Sequence, residues 1–492
     1  MSLAEARALP LSPALSGRLV TAALVLKLLM LFALALNTRL VMDEFWHLHQ
    51  AQYVWNGAFT DIWPEKALLY AAFFKLAALA GDDAVAQVLT ARMLAAGLAT
   101  AVVGVTYATA RALGQSAFRA VIIALILLSF STFIERGFRL RSEPLALFFA
   151  ASALWVVIRH DANRARTILI AGLLSGLAFV ATQKSAYFNF ALGSALVVEA
   201  LVARSVVQAL QRAALLIAGW LAAIAVYALV FGGSNAAEVF RFTFLGPLEV
   251  ATTAQDHYGS LRHFVAQTLV RNAPLYLACF AGLALTLARF RSLTQGQRLH
   301  LVFTLVMAVL VFRHNQPWPY VFTMVLPFLA PYAPALLDRF PEARQRTLLL
   351  VFALVVAASF VRNIGYVAHD NHTQLDTLRA AEALVPEGET YFDGLGMLPN
   401  RKTAPYVWLD AMNMVRLEAE GPTGRLPRAL ASNPPLLVIQ SYRTERLSPL
   451  LAPALAGYVP AGTNLLLRPD AAAGIIPGDG QVVDLYEDVY SR

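Results

Sequence analysis

Apolar runs long enough, or nearly long enough, to cross a bilayer recur along this chain from residue 19 to residue 361. They fall near 19–36, 92–110, 117–134, 144–158, 167–183, 185–203, 213–232, 273–289, 299–312, 320–337 and 347–361. A helix needs about 20 apolar residues to span hydrocarbon, so the pattern reads as about eleven spans. Lipid offers no water to bond an open backbone, so each run is expected to be a helix. Composition agrees, with a mean hydropathy of +0.58 and 14% charged residues, where a soluble domain carries about 25%. The fold class this predicts is an all-α polytopic membrane protein. The first run, about 18 residues, exceeds the 7–15 of a signal-peptide core and is expected to be retained.

The net charge of +8 invites a nucleic-acid reading, which needs basic residues gathered on one solvated face. Here they sit in short gaps between apolar runs, so no nucleic-acid partner is expected and the charges report topology instead. With a cytoplasmic N-terminus, the inside gaps hold Arg7 and Arg18, then Arg111 and Arg119, then Arg159, Arg164 and Arg166, then Arg204 and Arg212. Arg289, Arg291 and Arg298 follow, then Arg339, Arg344 and Arg346, which leaves the tail after residue 361 outside. One outer gap breaks the rule: "IERGFRLRSEP", residues 134–144, puts Arg136, Arg139 and Arg141 on the external side. A positive cluster placed against the topological grain suggests an anionic partner. Lys27 and Arg92, near span ends, are expected to snorkel to the interface. Cys279 stands alone inside an apolar run, so an intrachain disulfide is excluded and a small buried hydrophobe is expected.

Two segments leave the membrane pattern. The loop 37–91 contains "KALLYAAFFKLAALAG", whose apolar spacing predicts an interfacial amphipathic helix. Trp46, Tyr53, Trp55 and Trp63 in the same loop are expected to form an aromatic belt. From residue 362 to 492 Pro, Gly and acids return, and "ETYFDGLG", "PPLLVIQSY" and "NLLLRPD" read as short strands, with "RLSPLLAPALAGY" a helix between the last two. The expected organisation is a transmembrane domain, 1–361, and a small extracytoplasmic α/β domain, 362–492.

The outward polar residues gather at one membrane face. The first loop supplies Asp43, Glu44, His47, His49, Glu65 and Lys66; the second supplies Arg136, Arg139, Arg141 and Glu143. Lys184 comes from a third loop, and Arg313, His314 and Tyr320 from a later one. Ionisable groups at a lipid boundary are costly, so such a gathering marks a functional site. Transfer of a sugar from a polyprenyl phosphate wants both signs there. A carboxylate takes the proton of an acceptor hydroxyl, and cations hold the departing phosphate. The bland readings are that Asp43 and Glu44 favour a helix N-terminus and that Lys184 marks the end of its span. His47 and His49, two apart on a helix, face different ways, so no metal site and no cofactor are expected.

An acidic pair after the first span, then "WPEKALLY", "TARMLAAGLATAVVGVTYATARALG", "FRLRSEPLALFFAASALW" and "AGLLSGLAFVATQKSAYF", resembles the GT-C class of integral-membrane glycosyltransferases. The likeness is to the protein O-mannosyltransferases and the lipid A aminoarabinose transferases, with a weaker echo in "RHNQPWPYVFTMVLPFLAP". The resemblance implies that Asp43 is the catalytic base or acceptor-orienting group, that Glu44 is its usual neighbour, and that Glu143, standing where the family commonly has Asp, is a second acid, so that Asp43, Glu44 and Glu143 are the expected catalytic residues. It implies that Glu65 and Lys66 match an "EKP" motif near the donor headgroup, although Ala67 replaces the proline, and that Lys184 follows the fifth span. Arg136, Arg139, Arg141, Arg313, His314 and Tyr320 complete the expected donor phosphate and sugar site. The activity expected is that of an inverting glycosyltransferase. It would move a sugar from a polyprenyl-phosphate donor to a hydroxyl of a lipid, glycan or protein at the extracytoplasmic face of a bacterial inner membrane. The alternative is a transporter or flippase of lipid-linked sugars, which would place its ionisable residues near the bilayer midplane, often in matched halves.

Overall fold

The computed structural model describes residues 13–54, 67–246, 260–405, 407–472, 480–483 and 485. Glu65, Lys66, Trp55 and Trp63 lie outside them. The apolar runs fold as helices: α1 (Pro13–Asn37), α4 (Ala84–Ala112), α5 (Ala117–Ser129), α7 (Ser142–Arg159), α8 (Ala165–Ala181), α9 (Ala186–Val202), α10 (Val206–Gly232), α12 (Ala273–Ala288), α13 (Gln295–Phe312) and α14 (Glu342–Val367), plus a broken helix over Pro319–Leu337. Between them lie α2 (Met42–His49), α3 (Leu69–Phe74), α6 (Ser131–Arg136) and α11 (His263–Arg271). Among the described residues eight helices are long and apolar enough to cross a membrane, and a ninth is added if α11 and α12, bent by 91°, form one broken span. The shorter α5 and α8 occupy the two other expected positions. The chain is an integral membrane protein. Its lipid-facing surface is plain on α14, where Leu350, Leu354, Val361 and Ile364 are all exposed, an apolar face that water would not tolerate.

Three local features shape the end of the bundle that matters below. The expected run 117–134 is not continuous: Phe130 is extended (φ −64°, ψ 122°), so α5 stops and α6 starts in a new direction. Asn272 stabilises the break, its Oδ1 accepting from Ser131 N at 2.8 Å and its Nδ2 donating to Ser131 Oγ at 3.0 Å. The segment Pro319–Leu337 is also broken, with 3₁₀ turns at Pro319–Met324 and Ala330–Tyr332, because Pro319, Pro327, Pro331 and Pro334 each withhold a backbone donor. Small residues set the approach of α8 to α10. A Cβ on Gly172 would stand 2.2 Å from Leu216 O, and one on Gly219 would stand 2.2 Å from Leu169 O, so these two backbones pack at a separation only glycine permits. The amphipathic segment of the first loop appears as α3 followed by a 3₁₀ turn, Lys75–Ala80, with Tyr70, Phe74 and Ala77 buried and Leu79 exposed.

After α14 the chain forms α15 (His372–Leu384), β1 (Thr390–Phe392), β2 (Lys402–Thr403), α16 (Ala411–Glu420), α17 (Arg425–Ser432), β3 (Leu437–Ile439), β4 (Val459–Gly462) and β5 (Leu465–Leu467). The sheet order is β2-β1-β3-β5-β4, with β1 parallel to β2 and β3, and β5 antiparallel to β3 and β4. The three expected strand stretches become β1, β3 and β5. The stretch 446–458 carries only the short helix Ser448–Leu451.

This sheet region is seated on the end of the bundle where α1 finishes and α2 begins. Thr38 forms a bridge with Asp370, and the Gln374 amide bonds both N and O of Leu40 at 2.7 and 2.8 Å. The Asp393 carboxylate accepts from the N–H groups of Leu395, Gly396 and Met397, folding a tight loop in which Gly396 takes φ +79°. His49 of α2 lies against that glycine, 2.6 Å from where a Cβ would stand. Trp46 packs on Trp408 with ring centroids 5.0 Å apart.

Two expectations are corrected here. Lys27 and Arg92 do not snorkel, because both are fully buried and bonded inside the bundle. Trp46, only 2% exposed, is not part of an interfacial belt, since the sheet region covers it.

Candidate active site at the mouth of the bundle

Helix α2 brings two acids to the end of the bundle on adjacent positions, and adjacent helical positions point in different directions. Glu44 points inward. Its carboxylate is fully buried and accepts from Arg92 Nε at 2.9 Å and Nη2 at 2.7 Å, from Arg139 Nη1 at 2.8 Å, and from the N–H groups of Val41 at 2.9 Å and Leu140 at 3.3 Å. Burial alone would raise this carboxyl. Arg92 and Arg139 overcome that penalty and hold it down at about 2. Arg92 also ties the end of α1 to the site by donating to the carbonyls of Ala35, Thr38 and Arg39.

Asp43 points the other way and pairs with Arg141 Nη1. Arg141 is the centre of a second group. Its Nε lies 3.3 Å from Glu143 Oε2, and its guanidinium carbon sits 3.5 Å from the centre of the Tyr320 ring. Lys184, on the 3₁₀ turn between α8 and α9, pairs with the other oxygen of Glu143 and lies 4.3 Å from the Tyr320 ring centre. Stacking on the face of an aromatic ring suits both cations. The break after α5 is what delivers Arg139 and Arg141 here, since α6 redirects the chain before α7 begins. A small cavity beside the group is lined by Arg136, Arg141, Glu143, Pro144, Tyr320 and Thr323.

The three acids differ in access. Glu44 is 0% and Glu143 3% exposed, whereas the Asp43 side chain keeps 28% of its surface. Around them stand five cations, Arg92, Arg136, Arg139, Arg141 and Lys184, against three carboxylates. The excess of positive charge is what an incoming phosphate would meet. Two histidines border the site. His47 donates from Nδ1 to Asp43 O at 2.5 Å and rests against Tyr70. His314 packs edge-on to Tyr187, and burial, with Lys184 and Arg262 nearby, pushes it down to about 4, so it is neutral at physiological pH.

The structure therefore brings together Asp43, Arg141, Glu143, Lys184 and Tyr320, with Glu44 and Arg139 adjoining and Arg136 in the shared cavity. Arg313 is exposed, and among the described residues its side chain makes no hydrogen bond or ion pair with this group. Glu65 and Lys66 lie outside the described residues. Sequence reading missed Arg92 as a site residue, although an arginine away from the ends of a 29-residue apolar helix is itself a signal of internal pairing. Among the described residues, no three His, Cys, Asp or Glu side chains are grouped to hold a metal ion.

Comparison with known proteins bears on the fold. The crystal structure of ArnT from Cupriavidus metallidurans in the apo state superposes with a TM-score of 0.63 at 14% identity, covering 90% of this chain and 96% of that one. The same protein bound to undecaprenyl phosphate gives 0.58 at 15% identity, covering 90% and 95%. The Archaeoglobus fulgidus oligosaccharyltransferase in the apo form gives 0.54 at 13% identity, covering 94% and 75%. At these identities the likeness is one of fold, and the fold is the GT-C membrane fold expected from the sequence. A family model described as "Domain of unknown function (DUF7056)" matches residues 415–467, within the sheet region. No curated sequence matches the chain.

Proposed function

We propose that this protein transfers a sugar from a polyprenyl-phosphate donor to an acceptor hydroxyl at the mouth of its helix bundle. The observation that carries the reading is the pairing of a partly open Asp43 with Arg141, in a group where the other two acids are closed off. Two further points support it. The fold is shared with membrane glycosyltransferases, and one structural neighbour was captured with undecaprenyl phosphate.

In this mechanism Asp43 accepts the proton of the acceptor hydroxyl as its oxygen attacks the anomeric carbon. A new carbon–oxygen bond forms while the bond from that carbon to the phosphate oxygen breaks, and polyprenyl phosphate departs with the electron pair. Arg141 and Lys184, already oriented on Tyr320, take up the growing negative charge. Direct displacement by one activated nucleophile inverts the anomeric centre. Glu44 and Glu143 serve as positioning residues: each neutralises and aims the cations beside it, and neither has the access that a proton acceptor needs. The arginines of the gaps at the opposite face, among them Arg159, Arg164, Arg166, Arg289, Arg291 and Arg298, favour an extracytoplasmic mouth by the positive-inside rule, and a polyprenyl donor favours an inner-membrane location.

The test is transfer by purified protein supplied with a lipid-linked sugar and scored by loss of donor. Asp43→Asn is expected to abolish transfer while binding of polyprenyl phosphate persists. Turnover at the wild-type rate in that variant would remove Asp43 from the chemistry. Donor translocation across a vesicle without any transfer would favour a flippase instead.

A further inference from the structure

Glu135, the neighbour of Arg136 on α6, belongs to a different ionic group. Its Oε2 lies 3.5 Å from Arg271 Nη1 at the end of α11, and its Oε1 lies 3.6 Å from Arg362 Nε on α14. Both separations exceed the roughly 2.7–2.9 Å of a charge-assisted hydrogen bond. Lys27 of α1 joins from behind: fully buried, it donates to Asn363 Oδ1 at 2.7 Å and sits 4.3 Å from the centre of the Phe360 ring. Three cations thus surround one carboxylate. Among the described residues Glu135 Oε1, Arg362 Nε and Asn363 Nδ2 are buried without a hydrogen-bond partner. Buried polar atoms are rarely left so, and uncompensated positive charge at membrane depth is costly.

The surroundings indicate what completes the group. The Arg271 and Arg362 side chains are 44% and 27% exposed, and the residues beside them, Val270, Val361 and Ile364, are 76%, 71% and 60% exposed. Two arginines therefore emerge among aliphatic side chains that face lipid. Arg362 stands five positions before Val367, the last residue of α14, and Arg271 is the last residue of α11. Both are thus near helix ends, where a span meets the headgroup region. Free phosphate in water has no reason to prefer a rim of valine and isoleucine, whereas a lipid presents its phosphate and its chains together.

We propose that Arg271 and Arg362, backed by Lys27 and Asn363, hold the phosphate of an anionic membrane lipid whose chains lie along Val270, Val361 and Ile364. Glu135 keeps the two guanidiniums apart and turned toward the opening. None of these residues belongs to the Asp43 group, so the lipid held here is distinct from the donor.

The experiment uses the full chain, purified and stripped of lipid in a neutral detergent. It is titrated with phosphatidylglycerol, and bound lipid is counted by native mass spectrometry. Arg271→Ala and Arg362→Ala are each expected to weaken binding about fivefold, Arg271→Lys to keep most of it, and Asp43→Asn to leave it unchanged. Arg271 is near the surface, so its alanine variant tests the site without emptying a core position. Affinity equal to wild type in both alanine variants overturns the proposal, as does equal loss in Arg271→Ala and Arg271→Lys, because charge would then not be what holds the lipid. A parallel titration with inorganic phosphate separates the sources: binding of phosphate alone, with none of phosphatidylglycerol, overturns the assignment to lipid.

Discussion

Replacing Glu44 by glutamine keeps the shape of the side chain and removes its charge. Arg92 and Arg139, 0% and 2% exposed, would then share a buried pocket with an amide whose NH₂ is a third donor facing them. Removing one partner from a buried ion pair costs about 3–5 kcal/mol. The acid–base argument gives a similar figure. A carboxyl brought from its ordinary 4.5 to about 2 in the folded protein contributes about 3 kcal/mol. The folded value is the lower one, so this stabilisation is complete above about pH 4.5 and is lost as pH falls toward 2. Thermal unfolding in detergent, followed by tryptophan fluorescence at about pH 7 and about pH 3, should show Glu44→Gln melting well below wild type at the higher pH. The gap should narrow at the lower pH, because the wild-type carboxylate is then being protonated. A Glu44→Gln protein that melts like wild type near neutrality but has lost transfer would refute the reasoning and make Glu44 a reacting group.

Asp43→Asn should behave in the opposite way: a melting temperature within a degree or two of wild type, and no detectable sugar transfer in the lipid-linked assay. Arg141→Ala and Lys184→Ala should each weaken binding of polyprenyl phosphate by about tenfold or more, read by titration in detergent, with binding of a phosphate-free prenol unaffected. Gly396→Ala should loosen the seating of the sheet region, since φ +79° disfavours a Cβ and His49 occupies its place. A cost of about 1–3 kcal/mol should appear as faster proteolysis between residues 367 and 390. Acid should loosen the same contact. Burial holds His49 down at about 4 against an ordinary 6.5, so stability present above about pH 6.5 falls as pH drops toward 4, and protease sensitivity of the wild type should rise across that window.

The helices were legible because lipid leaves the backbone one option and long apolar runs announce it. Their interruptions were not. Nothing local in "LILLSFSTFIERG" marks Phe130 as the point where α5 ends; Asn272, distant in sequence, supplies the bonds that make the break tolerable. Asp43, Arg141 and Lys184 were legible as polar groups at one membrane face, and the bundle does unite them. The separate fates of Asp43 and Glu44 were hidden, because which acid turns inward depends on where Arg92 and Arg139 stand. Arg92 was misread for the same reason. Snorkelling is the default for an arginine near a span end, and only a carboxylate and three carbonyls brought from elsewhere make full burial affordable. The tail strands emerged from short apolar stretches set among Pro, Gly and acids, but their order in the sheet rests on pairings across dozens of residues.

The seating of Trp46 and His49 on the sheet region bears on how this protein can be handled at the bench. Cutting the chain after Val367 would not yield a minimal membrane enzyme. It would lay bare an indole and an imidazole now shut away from solvent, on the same two-turn helix that presents Asp43. A shortened protein that failed to work would therefore say little about acceptor choice, and single changes at the seam are the cleaner instrument.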